Sequence, residues 1–522
     1  MKDRYAERQK TASLKDKRLI TILRYILVLC PLSIVLCYFT GCNQYKVSDD
    51  PTLRLSFSHD TVRFDTVFTA QGSTTMQVKV YNRNNNALLI DRVWMENGQF
   101  FRVNIDGETR PNLITSMQLD GGDSMYVFVR VAIDTLHQNN PVLVSDDLHF
   151  HLSGGATQSI NLQAYGQDVE RIGKAGCGTT EFPRSFTFTA DRPYLLFDTV
   201  IINGQMTIRP GATLYMHQGA CLMVYGNVSA SGNPDQPIRI CGDRLDRLFD
   251  SVPYRFAGGA WDGIYLIDVK DKSMSGFTST YDLNYVDILS GTVGLMCVSD
   301  RTNGNLSRLT MNACRIHNHA LYGLYISHMD ACVTNTEISN CAAYCVYCDG
   351  GKHDFVHSTI ASYFGNTNIR IQSVPKEPTA AVFINNLSKE EPATKTSFYN
   401  SIITGYLTNQ LVVATPIDRY YPGAFIGNYL KTDTLPMPHA AENIYWQKDD
   451  TASVFVNDFY RYREYVYYNF HLDSLSPARG IGEEVSVIKN YPDFGDLRIE
   501  EDYDGVPRTT GRPDAGCYQH PL

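Results

Sequence analysis

Four stretches decide the fold: Met311-Asn312-Ala313-Cys314-Arg315-Ile316, Val333-Thr334-Asn335-Thr336-Glu337-Ile338, Phe355-Val356-His357-Ser358-Thr359-Ile360 and Phe398-Tyr399-Asn400-Ser401-Ile402-Ile403. Each opens on an apolar residue, passes a slot held by Ala313, Asn335, His357 or Asn400, and reaches an Ile. Counted from Ile288, the Ile positions are 28, 22, 22 and 43 residues apart, the last interval close to two units. A small-residue strand follows, with Gly294, Gly323 and Cys345 in one slot. A period near 22 residues without helical periodicity implies short strands wound into a parallel solenoid. Equivalent side chains then stack about 4.8 Å apart on successive coils.

The same alignment interprets the cysteines, of which the chain has 13. Cys297, Ile326 and Cys348 share a slot, so the slot takes a compact apolar side chain. Cys297 and Cys348 fall two coils apart, about 10 Å, beyond disulfide reach. Buried free thiols are the better reading. Cys345-x-x-Cys348 has formal metal spacing, but on an alternating strand the two side chains point to opposite faces. Met296, Tyr325 and Tyr347 occupy one outward slot, which puts the two tyrosines side by side on adjacent coils.

Ahead of the solenoid, alternation has period two. Met76, Val78 and Val80, then Met125, Val127, Val129 and Val131, then Leu148, Phe150 and Leu152, then Ile160, Leu162 and Ala164 each read as half-buried strands between turn signals. About seven such strands suit an immunoglobulin-like β-sandwich.

At the N-terminus a basic stretch precedes 15 uncharged residues from Tyr25 to Phe39, a length that suits a signal h-region. Phe39-Thr40-Gly41-Cys42 resembles the bacterial lipobox, with Phe39 in place of the usual Leu. The resemblance implies a diacylglycerol on Cys42, which then anchors the chain to a membrane. An uncleaved anchor with an incidental Cys is the alternative. Asn43 and Gln44, rather than an Asp, imply the outer membrane. Net charge is −9 and no Lys/Arg cluster follows the signal, which argues against a nucleic-acid partner.

Several further motifs carry a resemblance to a known class. Thr207-Ile208-Arg209-Pro210-Gly211-Ala212-Thr213-Leu214, Gly242-Asp243-Arg244-Leu245, Gly259-Ala260-Trp261-Asp262-Gly263-Ile264 and Ser476-Pro477-Ala478-Arg479-Gly480 look like parts of right-handed parallel β-helix proteins. Asp502-Tyr503-Asp504-Gly505-Val506-Pro507-Arg508 and Asp514-Ala515-Gly516-Cys517-Tyr518 are similar to the C-terminal cap in Bacteroides-type lipoproteins of that kind. The expected fold is all-β: an N-terminal Ig-like β-sandwich followed by a right-handed parallel β-helix. The expected boundaries are a signal peptide at 1–41, a tether at 42–50, the sandwich at 51–168, a linker and N-terminal cap at 169–194, the β-helix at 195–480 and a C-terminal cap at 481–522.

Parallel β-helices include polysaccharide lyases and hydrolases, so a site must be argued from residues. Asn335-Thr336-Glu337 superficially resembles the Asn-Thr-Asp of polygalacturonases, but the partner Asp pair, His and Arg-x-Lys are not found at comparable places. His328 and Asp330, with Asp349, Lys352 and His353 one repeat on, are expected on one edge of the solenoid as a binding cluster or as solvated turns. His317-x-His319 is expected as a surface turn, and Asp502-Tyr503-Asp504-Gly505 as a cap turn rather than a calcium loop. Tyr325 and Tyr347, and the group Tyr460, Tyr462, Tyr465, Tyr467 and Tyr468, offer faces and hydroxyls to sugars or to a protein interface. Nine Asp-Ser/Thr-aliphatic triplets, Asp134-Thr135-Leu136 and Asp473-Ser474-Leu475 among them, resemble the O-glycosylation motif of Bacteroides-type exported proteins. The expected role is binding of a polysaccharide, glycan or surface partner. A lyase or hydrolase, and a structural or adhesive protein, are the alternatives. No catalytic residue, metal or cofactor is assigned.

Overall fold

The computed structural model describes residues 46–109, 114–249, 252–268, 278–300, 306–363, 379–387, 394–415, 421–433, 435, 438–447, 453–457, 468–508 and 511–521. Cys42 and its neighbours, and Tyr460, Tyr462, Tyr465 and Tyr467, lie outside the described residues. The chain divides into two compact units, Met1–Val62 with Thr75–Arg130 and Ser145–Leu162, and Arg63–Thr74 with Val131–Val144 and Gln163–Leu522.

In the first unit, Met76–Tyr81 pairs antiparallel with Ser56–Phe57 and with Ser124–Val131. Leu88–Met95 pairs antiparallel with Ile114–Leu119 and with Val142–Leu152. The period-two residues Val78, Val80, Val127, Val129, Phe150 and Leu152 are buried, and Phe57 meets Phe150 with ring centroids 5.4 Å apart. Met76 is the exception at 37 % exposure, because it begins its strand at the edge of the core. The Asn-rich turn is held by Asn82, whose Nδ2 donates to the carbonyls of Asn86 and Leu119.

The second unit is a parallel β-helix. Its strands fall into three parallel sheets whose neighbouring strands come from successive coils, so that from Glu170 to Ile426 each coil gives one strand to each sheet. The first sheet runs from Glu170–Ile172 to Tyr445–Trp446, the second from Thr179–Phe182 to Leu411–Ala414, and the third from Phe186–Phe188 to Pro438–Glu442. Residues 169–194, read from the sequence as a linker and cap, therefore contain the strands of the first coil.

The Ile repeat is the inward ladder of the first sheet: Ile288, Ile316, Ile338, Ile360 and Ile403 pair in succession, all fully buried. Met311, Val333, Phe355, Phe398 and Phe425 form the equivalent ladder of the third sheet, with centroids 5.0 Å apart at Phe355–Phe398 and 5.7 Å at Phe398–Phe425. Each such side chain contributes about 1.5–3 kcal/mol by leaving water. The 43-residue interval is one coil and not two, because Ile360 pairs directly with Ile403; the added length lies in connections around Val382–Asn385.

The polar slot has a backbone cause. Tyr285, Ala313, Asn335, His357 and Asn400 all have φ between 47° and 49°, the left-handed region, and each turns the chain from the third sheet to the first. Asn tolerates that conformation better than other non-glycine residues. Glycine is required at two close approaches. A Cβ on Gly351, which has φ of 111°, would stand 2.0 Å from the Met329 carbonyl oxygen, and one on Gly323 would stand 2.6 Å from that of Cys345.

The C-terminal segment runs along the side of the coils. Ile488, Phe494 and Ile499 pack on Val356, Tyr399 and Ile426 of the third sheet. Ala515, Cys517 and Tyr518 pack beside Ala361, Ile402 and Tyr429 of the first. The segment is also tied to the left-handed corner: Asn335 Nδ2 donates to the Arg498 carbonyl, and Asn400 exchanges hydrogen bonds with the backbone of Glu483.

Candidate functional site

That segment packs against the first and third sheets, and the second sheet carries a continuous outward column of aromatic side chains. Its inward ladder contains Leu295, Leu324 and Val346, and then Cys297, Ile326 and Cys348 in one slot, as the repeat implied. The residues between them point outward. Met296, Tyr325, Tyr347, Phe383 and Val412 follow one another in register, each half-buried.

The rings stack on each other. Tyr325 and Tyr347 have centroids 4.5 Å apart and planes 2° from parallel, and Tyr347 and Phe383 are 5.5 Å and 11° apart. A second column joins Tyr322 to Tyr344, 6.3 Å and 18° apart. The faces expected to meet sugar rings are therefore spent on neighbouring rings, which leaves edges and hydroxyls outward. Burial pushes the Tyr325 hydroxyl up to about 12, with Tyr347 and Asp349 adding to the shift, so it is a neutral donor at physiological pH. Beside the rings, Ser327, Asp349 and Asn385 form the next column outward.

The expected cluster of five is divided by the fold. Asp349 belongs to the tyrosine strip, and His328 sits at the corner between the second and third sheets, 2.9 Å from the Ser327 hydroxyl. Asp330 and Lys352 are in register on the third sheet, and the Lys352 N–H donates to Asp330 Oδ1 at 2.9 Å. His353 is not on the surface. It points into the core, fully buried, where burial lowers its imidazole to about 4.

Asp330 and Lys352 line a cleft of about 160 Å3 with Arg308, Cys332, Asp354 and Asp493. Lys352 Nζ lies 2.9 Å from Asp493 and 3.2 Å from Asp354. Burial raises the Asp354 carboxyl although Lys352 opposes the shift, and burial raises the Cys332 thiol to about 11. Cys332 is thus a protonated thiol and no nucleophile at neutral pH.

Other motifs resolve into structure. Glu337 is closed off: its carboxylate accepts from Ser339 at 2.7 Å and from the Tyr518 hydroxyl at 2.7 Å. His317 and His319 do not form a surface turn. Both are buried, and His319 Nε2 donates to the Ile288 carbonyl while Nδ1 accepts from Gly291 N–H. Cys345 and Cys348 are both buried rather than on opposite faces, because Cys345 lies at the strand's start, where its thiol turns toward the Ala361 carbonyl. The ten described cysteines are free, and nine are buried. Asp502 is a turn residue whose Oδ1 accepts from the N–H groups of Asp504 and Val506. Of the triplet hydroxyls, Thr135 and Ser474 are exposed, whereas Ser251, Thr434 and Thr451 lie outside the described residues.

Repeat reasoning missed Tyr322, Tyr344, Phe383, Asp354 and Asp493. Tyr322 and Tyr344 are 22 residues apart, so the period already carried them. Phe383 was hidden by the long connection, and Asp493 approaches Lys352 from 141 residues away with no sequence signal.

No protein-family model and no curated protein sequence matches the chain. Among solved structures it is similar to a family 123 glycoside hydrolase from Clostridium perfringens, a study of glycolipid glycan hydrolysis, at 8 % identity over 26 % of this chain and 30 % of that one, with a TM-score of 0.19. It is also similar to the VesB protease of Vibrio cholerae at 18 % identity, over 22 % and 31 %, with a TM-score of 0.16. A PapD-like domain of human CEP192 matches at 12 % identity, over 24 % and 90 %, again with a TM-score of 0.16. The chain thus covers 30 % and 31 % of the first two structures' own lengths.

Proposed function

We propose that this protein is an outer-membrane lipoprotein, anchored through Cys42, whose β-helix binds polysaccharide along the tyrosine strip of its second sheet. The observation that carries the reading is the repetition of the strip. Tyr325, Tyr347 and Phe383 stand one per coil, flanked by Ser327, Asp349 and Asn385 in the same register. A polymer laid along the helix axis meets a similar set of edges and hydrogen-bonding groups about every 4.8 Å. Linked weak contacts of this kind multiply into useful affinity. Because the ring faces are occupied, recognition runs through hydroxyls, Asp349 and Asn385 rather than through sugar-on-ring stacking. The purified chain is screened against immobilised polysaccharides, scoring retention and product release. Retention that disappears in Tyr325→Ala/Tyr347→Ala supports the strip, and retention unchanged in that variant refutes it. A cross-linked protein partner with no glycan retained would make the strip a protein interface instead. For the anchor, Cys42→Ala that is still cleaved and membrane-bound excludes lipidation.

A second reading, a polysaccharide lyase or hydrolase on the β-helix, is favoured by the cleft beside Asp493. Asp354 is a buried carboxyl held above the ordinary range by desolvation, as a general acid must be, and Asp330 and Asp493 line the same cleft. Product release abolished in Asp354→Asn supports this reading, and release at the wild-type rate removes it.

A further inference from the structure

Two motifs that neither reading uses meet in space. The loop Ser474 to Gly480 and the stretch Arg512 to His520 face each other across a cleft of about 480 Å3. That volume falls within the roughly 300–1,000 Å3 typical of small-ligand sites. Asp514 holds the walls together. Its Oδ1 accepts from Gly480 N–H and its Oδ2 from His520 N–H, each at 2.8 Å, while its own N–H donates to Gln519 Oε1 at 3.1 Å. Ala515 N–H donates to the Ala478 carbonyl at 2.9 Å and closes the base. The site is thus built by fixed backbone rather than by loose side chains.

Its charge is unlike that of the rest of the molecule. Net charge is −9 over the chain, yet the cleft is lined by two guanidinium groups, Arg479 and Arg512, and a single carboxylate. That carboxylate, Asp514, is 5 % exposed with both oxygens committed to backbone donors. Arg512 leans on Glu483 at 3.3 Å. Arg479 donates to the Ser474 carbonyl and has no carboxylate within ion-pair distance among the described residues. Nδ1 of His520 is buried without a hydrogen-bond partner among the described residues. Forked guanidinium donors match the planar oxygens of a carboxylate and the tetrahedral oxygens of a sulfate.

We infer that this cleft is a second binding site, for the carboxylate or sulfate group of an acidic polysaccharide. It shares no residue with the tyrosine strip and stands whether or not the strip binds sugar. The probes are an oligogalacturonate, a heparin oligosaccharide, a neutral oligogalactan and inorganic sulfate, each titrated calorimetrically into the purified full chain. At least one acidic oligosaccharide binds the wild type, weakens as salt is raised, and loses tenfold or more in Arg479→Gln/Arg512→Gln. Tyr325→Ala/Tyr347→Ala leaves that Arg-dependent binding in place, which separates the two sites. Should the glutamine variant fail to fold, Arg479→Lys/Arg512→Lys keeps the charge and removes the fork, and a several-fold weaker acidic probe is then expected. Neither acidic probe binding the wild type, or binding unchanged in the arginine variants, overturns the inference. Arg-dependent sulfate binding as tight as that of the oligosaccharides overturns the polysaccharide as the ligand.

Discussion

Acidification from pH 7.5 to 5 should destabilise the β-helix by several kcal/mol, through imidazoles that the coil has buried without charge. His319 and His353 are fully buried, and desolvation lowers each to about 4. His317 and His357 are also lowered by the same cause, with Arg315 and Arg508 respectively adding to it. The geometry at His319 leaves no place for a second ring proton, since Nδ1 faces the Gly291 N–H at 3.1 Å. The folded pKa lies below the unfolded value of about 6.5, so as pH falls the unfolded chain takes up protons that the folded chain refuses. Stability from these residues is complete above about pH 6.5 and is lost between there and about pH 4. At pH 5 the loss is about 1.5 pH units at 1.36 kcal/mol, or about 2 kcal/mol for each such imidazole, and about 4 kcal/mol for His319 and His353 together. His217 and His471 act in the opposite sense. Hydrogen bonds to Asp243 and Asp504 raise them, so their contribution is present at low pH and lost as pH rises through their folded values. The His471 side chain is 45 % exposed and solvent screens its pair, so these two offset only part of the loss. Urea unfolding followed by circular dichroism at pH 7.5, 6 and 5 gives the slope. His353→Gln should flatten it by at most about 1.4 kcal/mol per pH unit. A stability at pH 5 equal to that at pH 7.5, or a slope untouched by His353→Gln, would mean that the coil does not hold these imidazoles uncharged.

Phe398→Ala opens a cavity between two stacked rings, Phe355 and Phe425, and should cost about 3–5 kcal/mol, read as a lower urea midpoint. Gly351→Ala places a methyl against the Met329 carbonyl at positive φ; a loss of at least about 3 kcal/mol is expected, and a thermal midpoint within a few degrees of wild type would count against the close approach. Among the ten described cysteines, only Cys177 should react with a thiol reagent in the native state, with the other nine reacting after denaturation. Rapid native labelling at Cys297 or Cys348 would contradict the core ladder.

What the sequence disclosed and what it hid follow from the same geometry. Inward side chains of a coil stack on their equivalents one coil away, so the same residue types recur with the coil, and Ile316, Ile338 and Ile360 reveal the period. The left-handed corner is visible for a backbone reason, since Asn335 and Asn400 recur where φ is positive. Outward positions repeat only where side chains stack from coil to coil, as Tyr325 and Tyr347 do, and the grouping of the rest depends on which sheet each faces. His328, Asp330, Asp349, Lys352 and His353 lie within 26 residues of one another, yet one corner of the coil separates Asp349 from Lys352, and alternation then turns His353 inward. Long-range additions are harder still. Asp493, Tyr503 and Tyr518 reach Lys352, Asp287 and Glu337 because the C-terminal segment doubles back along the coils, and no period links those numbers. The cleft at Arg479 and Arg512 belongs to this last kind: two non-repeating stretches create it, and nothing in the sequence brings them together. In this solenoid, then, periodicity shows both the inward ladders that hold the coils together and the outward tyrosine strip, whereas the clefts at Asp493 and at Arg479 and Arg512 arise where the non-periodic chain lands on the coils.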